Sequence, residues 1–343
     1  MPSLWTSLSE LEVRIDDWSV QRRELAVSPE FTRVTTTVVL HCGDETGQGE
    51  DVTYTATDHD DFPTGAMLAG TWSLHDYSRR LDELELWEDE PEMEASHDYR
   101  RWAFESAALD LALRQRGTSF AEAVGRAYSP VRFVASTRAD VAGYREHDPD
   151  LEFKLDAEED WDDALLSTLA ATGRVQVVDF KAYYRGTSVD LVPDPALYRR
   201  VKEALPEAVL EDAWLEDGCR EALEGAEDRL SFDAPIHSWQ DVGKLPLEPR
   251  WLNIKPSRFG TLARLFECIE ECEERGIRLY GGGQFELGPG RGQIQYLASL
   301  FSADGPNDVS PVGFHAGSPG PGLPHSPLPP AGGEAGFRYG ASA

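Results

Sequence analysis

Six short segments in the last two-thirds of this chain end in a lysine or a carboxylate where the local pattern predicts the end of a β-strand. They are Leu-Glu-Phe-Lys154, Val-Val-Asp179, Val-Leu-Glu211, Leu-Ser-Phe-Asp233, Leu-Asn-Ile-Lys255 and Gly-Gln-Phe-Glu286. Their steps of 25, 32, 22, 22 and 31 residues bracket the roughly 30 residues per strand-and-helix unit in a barrel of about 250 residues. Because parallel barrel strands end on one face, these side chains are expected to meet at one mouth.

Three acids placed between two lysines suit the removal of a proton that lies α to a carboxylate. Such a proton is very weakly acidic, so the enolate formed must be stabilised by a metal ion and nearby cations. Asp179, Glu211 and Asp233 are predicted to bind that ion, and their hard oxygens indicate Mg²⁺. Lys255 and Lys154 are the predicted bases, because a metal and a second ammonium lower the pKa of a lysine.

Two neighbouring acids compete for places in this set. Asp212 follows Glu211, and adjacent strand residues face opposite sides, so a shift of one residue would exchange them. Glu211 is favoured. Asp241 could replace Asp233, but it would leave only 14 residues before Lys255, too few for a strand, a helix and a strand. With 62 acidic residues in the chain, any single one could be a surface group, so only the joint spacing supports the site.

The first third of the chain has the pattern of a small α+β unit. Two β-rich runs within residues 32–57, separated by Gly-Asp-Glu-Thr-Gly-Gln-Gly, predict a hairpin. Helical patterns follow at 74–85 and 98–116, with Gly117 as the C-terminal cap of the second. This part is predicted to be an N-terminal α+β capping domain at residues 1–125.

The rest of the chain alternates short β-type runs with helical stretches from about residue 130 to residue 312. The helical stretches are 160–171, 195–204, 260–274 and 291–301. Alternation of this kind predicts parallel strands joined by helices. We therefore predict an α/β fold, with a TIM-type (β/α) barrel at 126–312 and a proline- and glycine-rich tail at 313–343.

Taken together, these segments resemble the enolase superfamily, in the branch that contains muconate-lactonizing enzyme and mandelate racemase. Leu252-Asn-Ile-Lys-Pro-Ser-Arg-Phe-Gly260 resembles the sixth-strand lysine segment of that family, and Gly-Gly-Gln-Phe-Glu-Leu-Gly-Pro-Gly-Arg291 resembles its seventh-strand segment. The hairpin and the Ala-Phe-Glu-Ser-Ala-Ala-Leu-Asp-Leu-Ala helix resemble its capping domain. The resemblance implies Mg²⁺ binding by the same three acids, with a small-molecule carboxylate as substrate.

The second barrel strand departs from the family pattern of Lys-x-Lys. The chain has Glu152-Phe-Lys154-Leu-Asp156 instead, so either Lys154 is the base or Asp156 holds the base position. The short step to Asp179 favours Lys154. A further lysine, Lys181, shares a face with Asp179 by strand alternation. It could bind the substrate carboxylate, act as an extra base, or form an ion pair.

Substrate contacts are also expected from Glu286 and from the cap. Family members often place a carboxylate at the position of Glu286, where it pairs with a base or contacts substrate. The segment Thr57-Asp-His-Asp-Asp-Phe-Pro-Thr-Gly-Ala-Met-Leu is the predicted lid over the mouth, with His59 and Phe62 facing the substrate. A solvated connector is the alternative interpretation of this segment.

The composition excludes several other functions. A net charge of −30 with no basic stripe argues against nucleic acid binding. No apolar run approaches a membrane span, and the start lacks a signal pattern, so a cytoplasmic enzyme is expected. Four cysteines do not indicate a disulfide framework in such a chain. A homo-oligomer is compatible with these features.

Three functions remain open at this point. The first is a Mg²⁺-dependent lyase or isomerase that acts through an enolate, by dehydration, cycloisomerisation, or racemisation and epimerisation. The second is a metal-binding protein of the same fold without turnover, suggested by the missing lysine. The third is an unrelated barrel hydrolase. Lys255 together with the three acids favours the first.

Overall fold

In the described residues, the N-terminal cap combines two antiparallel sheets with four α-helices. The computed structural model describes residues 3–28, 31–63, 67–137, 141–185, 187, 189–315, 322–329 and 334–338. The strands are β1 (Glu12–Ile15), β2 (Asp17–Ala26), β3 (Thr32–Cys42), β4 (Glu45–Asp51) and β5 (Gly70–Ser73). β1 pairs with β5, and β2, β3 and β4 form a sheet in that order. The helices are α1 (Leu4–Ser9), α2 (Leu74–Asp82), α3 (Ala95–Arg116) and α4 (Phe120–Val124).

The predicted hairpin exists, but its second strand begins earlier than expected. The glycine-containing segment that was predicted to connect the strands forms most of β4, and only the turn at Gly43 and Asp44 separates the two strands. The glycines are needed because α3 packs closely on β4. A Cβ atom at Gly47 would lie 2.3 Å from the carbonyl oxygen of Ala107, and one at Gly49 would lie 2.0 Å from that of Ala103. Here close packing, not a turn, requires the glycines.

The barrel is a curled sheet of seven parallel strands that a short eighth segment closes. The strands are β6 (Val134–Thr137), β7 (Glu152–Asp156), β8 (Val175–Asp179), β9 (Val209–Glu211), β10 (Leu230–Phe232), β11 (Trp251–Ile254) and β12 (Arg278–Gly281). They are neighbours in chain order. Asn307 bridges to Phe133 beside β6, and Asp308 bridges to Gly282 beside β12. The predicted TIM-type barrel with its N-terminal α+β domain is confirmed.

Four barrel helices agree with the helical stretches predicted from the sequence, and three short ones, at 141–147, 219–222 and 239–242, were not predicted. They are α5 (Val141–His147), α6 (Asp163–Thr172), α7 (Pro195–Ala204), α8 (Cys219–Ala222), α9 (Trp239–Val242), α10 (Leu262–Arg275) and α11 (Pro289–Phe301). Local capping explains several bounds. Asp162 accepts a hydrogen bond from the amide of Leu165 at the start of α6, and Gly276, with φ 69°, ends α10.

Two buried side chains of the cap join it to the mouth of the barrel. Arg33 donates hydrogen bonds to the carbonyl oxygens of Val52 and Thr53 at 2.6 Å, and to those of Gln284 at 2.8 Å and Phe285 at 3.2 Å. Glu50 accepts hydrogen bonds from the backbone amides that begin α11, those of Leu287, Gly288 and Gly290, at 2.7–2.9 Å. The cap therefore holds the segment that follows β12 in place.

Parts of the C-terminal segment pack against the cap and the barrel. Leu328 forms a bridge with Val131, and the ring of Phe337 lies 4.9 Å from that of Phe120. One buried core accordingly extends from Leu4 to Phe337. Among the residues described, no helix is long and apolar enough to cross a membrane.

Candidate metal and proton-transfer site

Three carboxylates meet at the centre of the barrel mouth. Asp179 ends β8, Glu211 ends β9, and Asp233 follows β10 directly. All three side chains are buried, and one oxygen of each lies within 4.8 Å of the others. The structure thus brings together the three acids that the sequence pattern predicted as metal ligands. Such close carboxylates repel one another unless cations lie between them.

The competing acids point elsewhere. Asp212 adopts a left-handed backbone conformation with φ 50°, and its carboxylate accepts hydrogen bonds from the amides of Asp233 at 2.8 Å and Ala234 at 2.9 Å. Asp241 accepts hydrogen bonds from Ser238 and Lys244 at 2.8 and 2.7 Å, outside the cluster. Glu211 and Asp233, rather than these neighbours, form the cluster with Asp179.

The donor set suits a hard divalent cation. Three carboxylates and no sulfur or imidazole ligand match the preference of Mg²⁺, which usually keeps further positions for water or substrate oxygens. Burial raises the pKa of Glu211 well above its usual value. Burial also acts to raise the pKa of Asp179, but the ammonium groups of Lys181 and Lys154 outweigh it and lower that pKa. Positive charge is therefore what this cluster requires.

Lys255 lies beside the cluster and faces the cavity above it. Its Nζ is 2.9 Å from Oδ2 of Asp233. Arg258, three residues further on, contacts the other oxygen of Asp233 at 2.7 Å and the hydroxyl of Tyr184 at 2.8 Å. The sequence pattern did not predict Arg258 as a site residue, although it belongs to the same 252–260 segment as Lys255. Two cations from one segment thus hold Asp233.

Lys154 lies deeper in the barrel than the other candidate bases. Its side chain is 1% exposed, and its Nζ contacts Glu211 closely and lies 3.3 Å from Asp179 and 3.7 Å from Asp308. The strand register pairs Lys154 with Val177, whereas Asp156 pairs with Asp179. Asp156 is therefore level with the metal-ligand candidates, and Lys154 is one inward-facing position below them.

Lys181 brings a second ammonium to the level of Asp156. Its backbone has φ 53°, a left-handed conformation that is uncommon for a residue other than glycine. Its Nζ contacts Asp179 closely and lies 3.2 Å from Oδ1 of Asp156. Although burial acts to lower the pKa of Lys181, the two aspartates raise it well above its usual value. The contact between Lys181 and Asp179 could be anticipated from the sequence, because the two residues are two positions apart.

Several buried polar groups beneath the cluster were not predicted. The hydroxyl of Tyr280 donates a close hydrogen bond to Glu211 and lies 2.9 Å from Oγ of Ser231, while Nδ2 of Asn253 lies 3.3 Å from Glu211. Alternation places them on inward-facing positions of their strands. Hydrogen bonds of this kind fix the orientation of the Glu211 carboxylate.

A cavity of about 770 Å³ is lined by residues of the barrel mouth and of the cap. The barrel contributes Asp156, Lys255 and Asp308 to its wall, and the cap contributes Phe31 and Tyr54 among others. The volume lies within the range of small-molecule sites. A substrate in this cavity would meet Lys255 in its wall.

The expected lid residues do not reach this cavity. His59 is 5% exposed, with its ring nitrogens 2.9 Å from Oγ1 of Thr36 and from the carbonyl oxygen of Thr53. The ring of Phe62 lies 4.0 Å from the guanidinium of the buried Arg100. Neither residue is among the described residues that line the cavity. Their part of the predicted lid packs inside the cap, because Arg100 and Thr36 supply partners there.

Glu286 lies beyond the strand end that was predicted for it. β12 ends at Gly281, and Glu286 follows in the loop before α11. Its Oε1 accepts a hydrogen bond from the amide of Gln284 at 2.7 Å, and its Oε2 lies 3.1 Å from Nη2 of Arg291. Glu286 is 3% exposed, and these contacts hold the loop and Arg291 together.

Comparison with solved structures finds this fold in enzymes of the enolase superfamily. A muconate cycloisomerase from Pseudomonas fluorescens is 18% identical, with 96% of each chain covered and a TM-score of 0.64. A dipeptide epimerase from Enterococcus faecalis V583 is 14% identical, with 95% of this chain and 99% of that one covered and a TM-score of 0.68. An enolase superfamily member from Listeria innocua is 15% identical, with 88% and 86% covered and a TM-score of 0.61. At this identity the likeness establishes the fold, and the resemblance to the muconate-lactonizing branch is confirmed at that level.

Sequence comparisons assign the chain to a family. The comparison with curated proteins found no match. A family model described as the N-terminal domain of a domain of unknown function, DUF8230, matches residues 6–123. The model of the C-terminal domain of DUF8230 matches residues 127–316, which is more than half of the chain. The chain therefore belongs to the DUF8230 family and has the fold of the enolase superfamily.

Proposed function

We propose that this protein is a Mg²⁺-dependent enzyme that removes a proton α to the carboxylate of a small molecule. One observation carries the proposal: three buried carboxylates lie together at the barrel mouth, and the ammonium of Lys255 adjoins them at 2.9 Å from Asp233. The cavity above them has room for a small substrate. The fold shared with a cycloisomerase and an epimerase is compatible with isomerisation, and elimination from the same enolate would make the enzyme a lyase.

Asp179, Glu211 and Asp233 would hold the ion. Mg²⁺ bound there would supply positive charge to the substrate carboxylate as negative charge develops on it. Lys255 would accept the α-proton at Nζ, in its neutral form, from the side of the cavity that it lines. Arg258 and Tyr184 would keep Asp233 oriented while this happens. Burial of the cluster limits its access to water.

The positions of Lys154 and Lys181 bear on which group transfers a proton on the side of the substrate opposite Lys255. Lys154, the partner favoured on sequence alone, is enclosed and bound to Glu211 and Asp179, which supports a role in orienting those ligands. Lys181 and Asp156 lie level with the ligands. We therefore assign the second proton-transfer position to the Lys181–Asp156 pair and keep Lys154 as the alternative.

A metal-binding role without turnover is the second candidate. It is favoured by one observation, the position of an aspartate, Asp156, at the end of β7, level with the metal-ligand candidates. Under this alternative, Lys181 neutralises Asp156 and Asp179 and takes no proton. Mg²⁺ would still bind, but no α-proton would exchange.

The test is α-hydrogen exchange in D₂O, followed by NMR, on a panel of carboxylates that includes muconolactone and dipeptides. The proposal expects Mg²⁺-dependent exchange of at least one compound, and loss of exchange in Lys255→Ala. Lys244→Ala is the matched control, because the Lys244 side chain is 74% exposed and its Nζ lies 2.7 Å from Asp241, outside the cluster. Exchange that Lys255→Ala leaves unchanged would overturn the mechanism. Mg²⁺ binding without any exchange would favour the second candidate.

A further inference from the structure

The cap has an open sheet edge along β2. This strand runs over ten residues, Asp17–Ala26, and pairs with β3 along its whole length without a register shift. No other strand in the described part of the chain pairs with it. None of its ten residues is buried. A strand in this position presents a row of unpaired backbone N–H and C=O groups, which another strand can bind.

The backbone groups at this edge belong to every second residue. In an antiparallel ladder, alternate residues exchange both of their hydrogen bonds with the neighbouring strand, and the residues between them point away. Val27 donates to the carbonyl oxygen of Phe31 at 3.0 Å, so the odd-numbered residues of β2 bond to β3. The amide of Trp18 agrees with this, because it bonds to Oδ1 of its own neighbour, Asp17, at 2.8 Å. The outward-facing residues are accordingly Trp18, Val20, Arg22 and Glu24.

Several features that normally protect sheet edges are missing from β2. The strand has no proline and no lysine, and its pairing with β3 contains no bulge that would twist it away from a partner. Near its centre, Val20 is 41% exposed. The charged residues that β2 carries are therefore the features that decide what it can bind.

We propose that β2 pairs with β2 of a second copy of this chain, antiparallel and about a two-fold axis that passes through Val20. The two three-stranded sheets would then form one sheet of six strands. Val20 would face Val20 of the other copy, and Trp18 would face Arg22. Each of these pairs joins two outward-facing residues, so each would exchange two backbone hydrogen bonds. The inference is independent of the proposed function.

Charge complementarity favours a second copy as the occupant of this edge. In the proposed register, Asp17 lies opposite Arg23 of the other copy, and the symmetry repeats the pair. Both residues stand at positions without hydrogen bonds between the two copies, where facing side chains are closest. Arg23 gives one of its five donors to Oγ1 of Thr37 at 3.0 Å, and the guanidinium carries four more. Opposite charges directly across a sheet are stabilising.

The neighbouring symmetric registers lose these pairs. An axis at Gln21 would place Asp17 opposite Leu25, so its charge would have no opposite partner. An axis at Arg22 would place two guanidinium groups opposite each other, and like charges in that position are destabilising. An axis at Ser19 would leave half of β2 unpaired. The order of residues in β2 is therefore self-complementary in the register centred on Val20, as a two-fold interface requires.

The same strand leads to the cavity. β2 ends at Ala26, and Val27, Ser28 and Phe31, which lie between β2 and β3, line the cavity that Lys255 also lines. Two paired copies of β2 would brace this hairpin. Association would consequently limit the movement of one part of the cavity wall.

Sedimentation velocity on the full-length protein tests the pairing. The wild type should sediment as an assembly with an even number of copies, and Val20→Lys, which sets two ammonium groups at the axis, should at least halve its mass. Val192→Lys is the matched control, because Val192 is 65% exposed and lies between β8 and α7. A wild type that is monomeric at every concentration would overturn the proposal, as would a mass that Val20→Lys leaves unchanged.

A charge exchange tests the register. Asp17→Arg and Arg23→Asp should each raise the dissociation constant about tenfold or more, since each turns two attractive pairs into repulsive ones. The double variant should restore association, because it re-creates both pairs with the charges reversed. A double variant that stays as dissociated as the single ones would exclude the axis at Val20. Asp17→Arg leaves the hydrogen bond between Arg23 and Thr37 intact, so if Arg23→Asp does not fold, an unchanged dissociation constant in Asp17→Arg would overturn the register.

Discussion

Nζ of Lys181 lies 3.2 Å from Oδ1 of Asp156, so the ends of two consecutive strands, β7 and β8, place an ion pair beside the metal-ligand candidates. Asp156 lines the cavity where β7 ends, and Lys255 lines it where β11 ends. Two groups on opposite sides of one carbon are what inversion of its configuration requires. The pair therefore gives a direct test of the second proton-transfer position.

Lys181→Met and Lys255→Met should each remove hydrogen exchange from one face of the substrate. The expected loss is roughly 10²–10⁴-fold, the usual contribution of a general acid or base, and Lys181, whose pKa Asp179 and Asp156 raise, would act as the acid. Exchange of the two stereoisomers in D₂O, followed by NMR, measures each face separately. An undiminished rate at both faces in Lys181→Met would return the second position to Lys154.

Lys154→Met should act mainly through Glu211 and Asp179, which its ammonium contacts. Without Lys154, these two carboxylates lose the buried ammonium that neutralises them and holds their orientation. Mg²⁺ affinity measured by calorimetry should change, and saturating Mg²⁺ should restore part of the exchange rate. If Lys154 is instead a base, saturating Mg²⁺ would restore nothing, and one face would stay inactive.

Mg²⁺ should stabilise the folded protein through Asp179, Glu211 and Asp233. A ligand at one hundred times its Kd adds about 2.7 kcal/mol to the free energy of unfolding. Thermal denaturation with and without Mg²⁺ should show this increase in the wild type and a smaller one in Asp179→Ala or Asp233→Ala. Asp241→Ala is the control, since Asp241 binds Ser238 and Lys244 outside the cluster. A full Mg²⁺ effect in the triple alanine variant would contradict the site.

Substrate preference should depend on Tyr54 and not on His59. Tyr54 lines the cavity and donates to Oε1 of Gln284 at 3.1 Å. His59 is bound inside the cap. Tyr54→Ala should alter the profile across a carboxylate panel, while His59→Ala should mainly lower the free energy of unfolding, by about 1–3 kcal/mol. The reverse pattern would restore the lid role of the 57–68 segment.

Acid should destabilise the protein in part through His315. Its pKa falls from 6.5 to about 2 on folding, because burial and then Arg291 and Arg33 disfavour the imidazolium. The unfolded chain therefore binds a proton that the native protein does not, and stability falls as the pH drops below about 6.5. Between pH 7 and pH 5 this group alone would lower the free energy of unfolding by up to about 2 kcal/mol. Denaturation of His315→Gln at both pH values should show a shallower fall.

The convergence of Asp179, Glu211, Asp233 and Lys255 could be predicted because parallel strands end on one face and side chains alternate along each strand. Those two rules need only the residue spacing. Lys154 shows their limit. The rules give its face of the barrel but not its depth, and the register with β8 decides that Asp156, rather than Lys154, lies level with Asp179.

Other parts of the site could not be predicted from local patterns. Asp308 belongs to a segment that joins the barrel through single bridges, too short to leave a strand pattern. Arg291 and His315 come together only through packing across 24 residues of chain. His59 looked available for substrate because the sequence does not show that Thr36 and Thr53 bind both ring nitrogens.

The buried guanidinium of Arg33 should couple the unfolding of the cap to the unfolding of the barrel. It binds two carbonyl oxygens of the cap and two of the loop after β12, so pulling the parts from one another would leave these groups unpaired. Cap and barrel should consequently melt as one unit, in a single calorimetric transition whose van't Hoff and measured enthalpies agree. Neither the cap nor the barrel is expected to fold when produced alone. A different cap could replace this one in evolution only if the loop after β12, which Arg33 binds, changed with it.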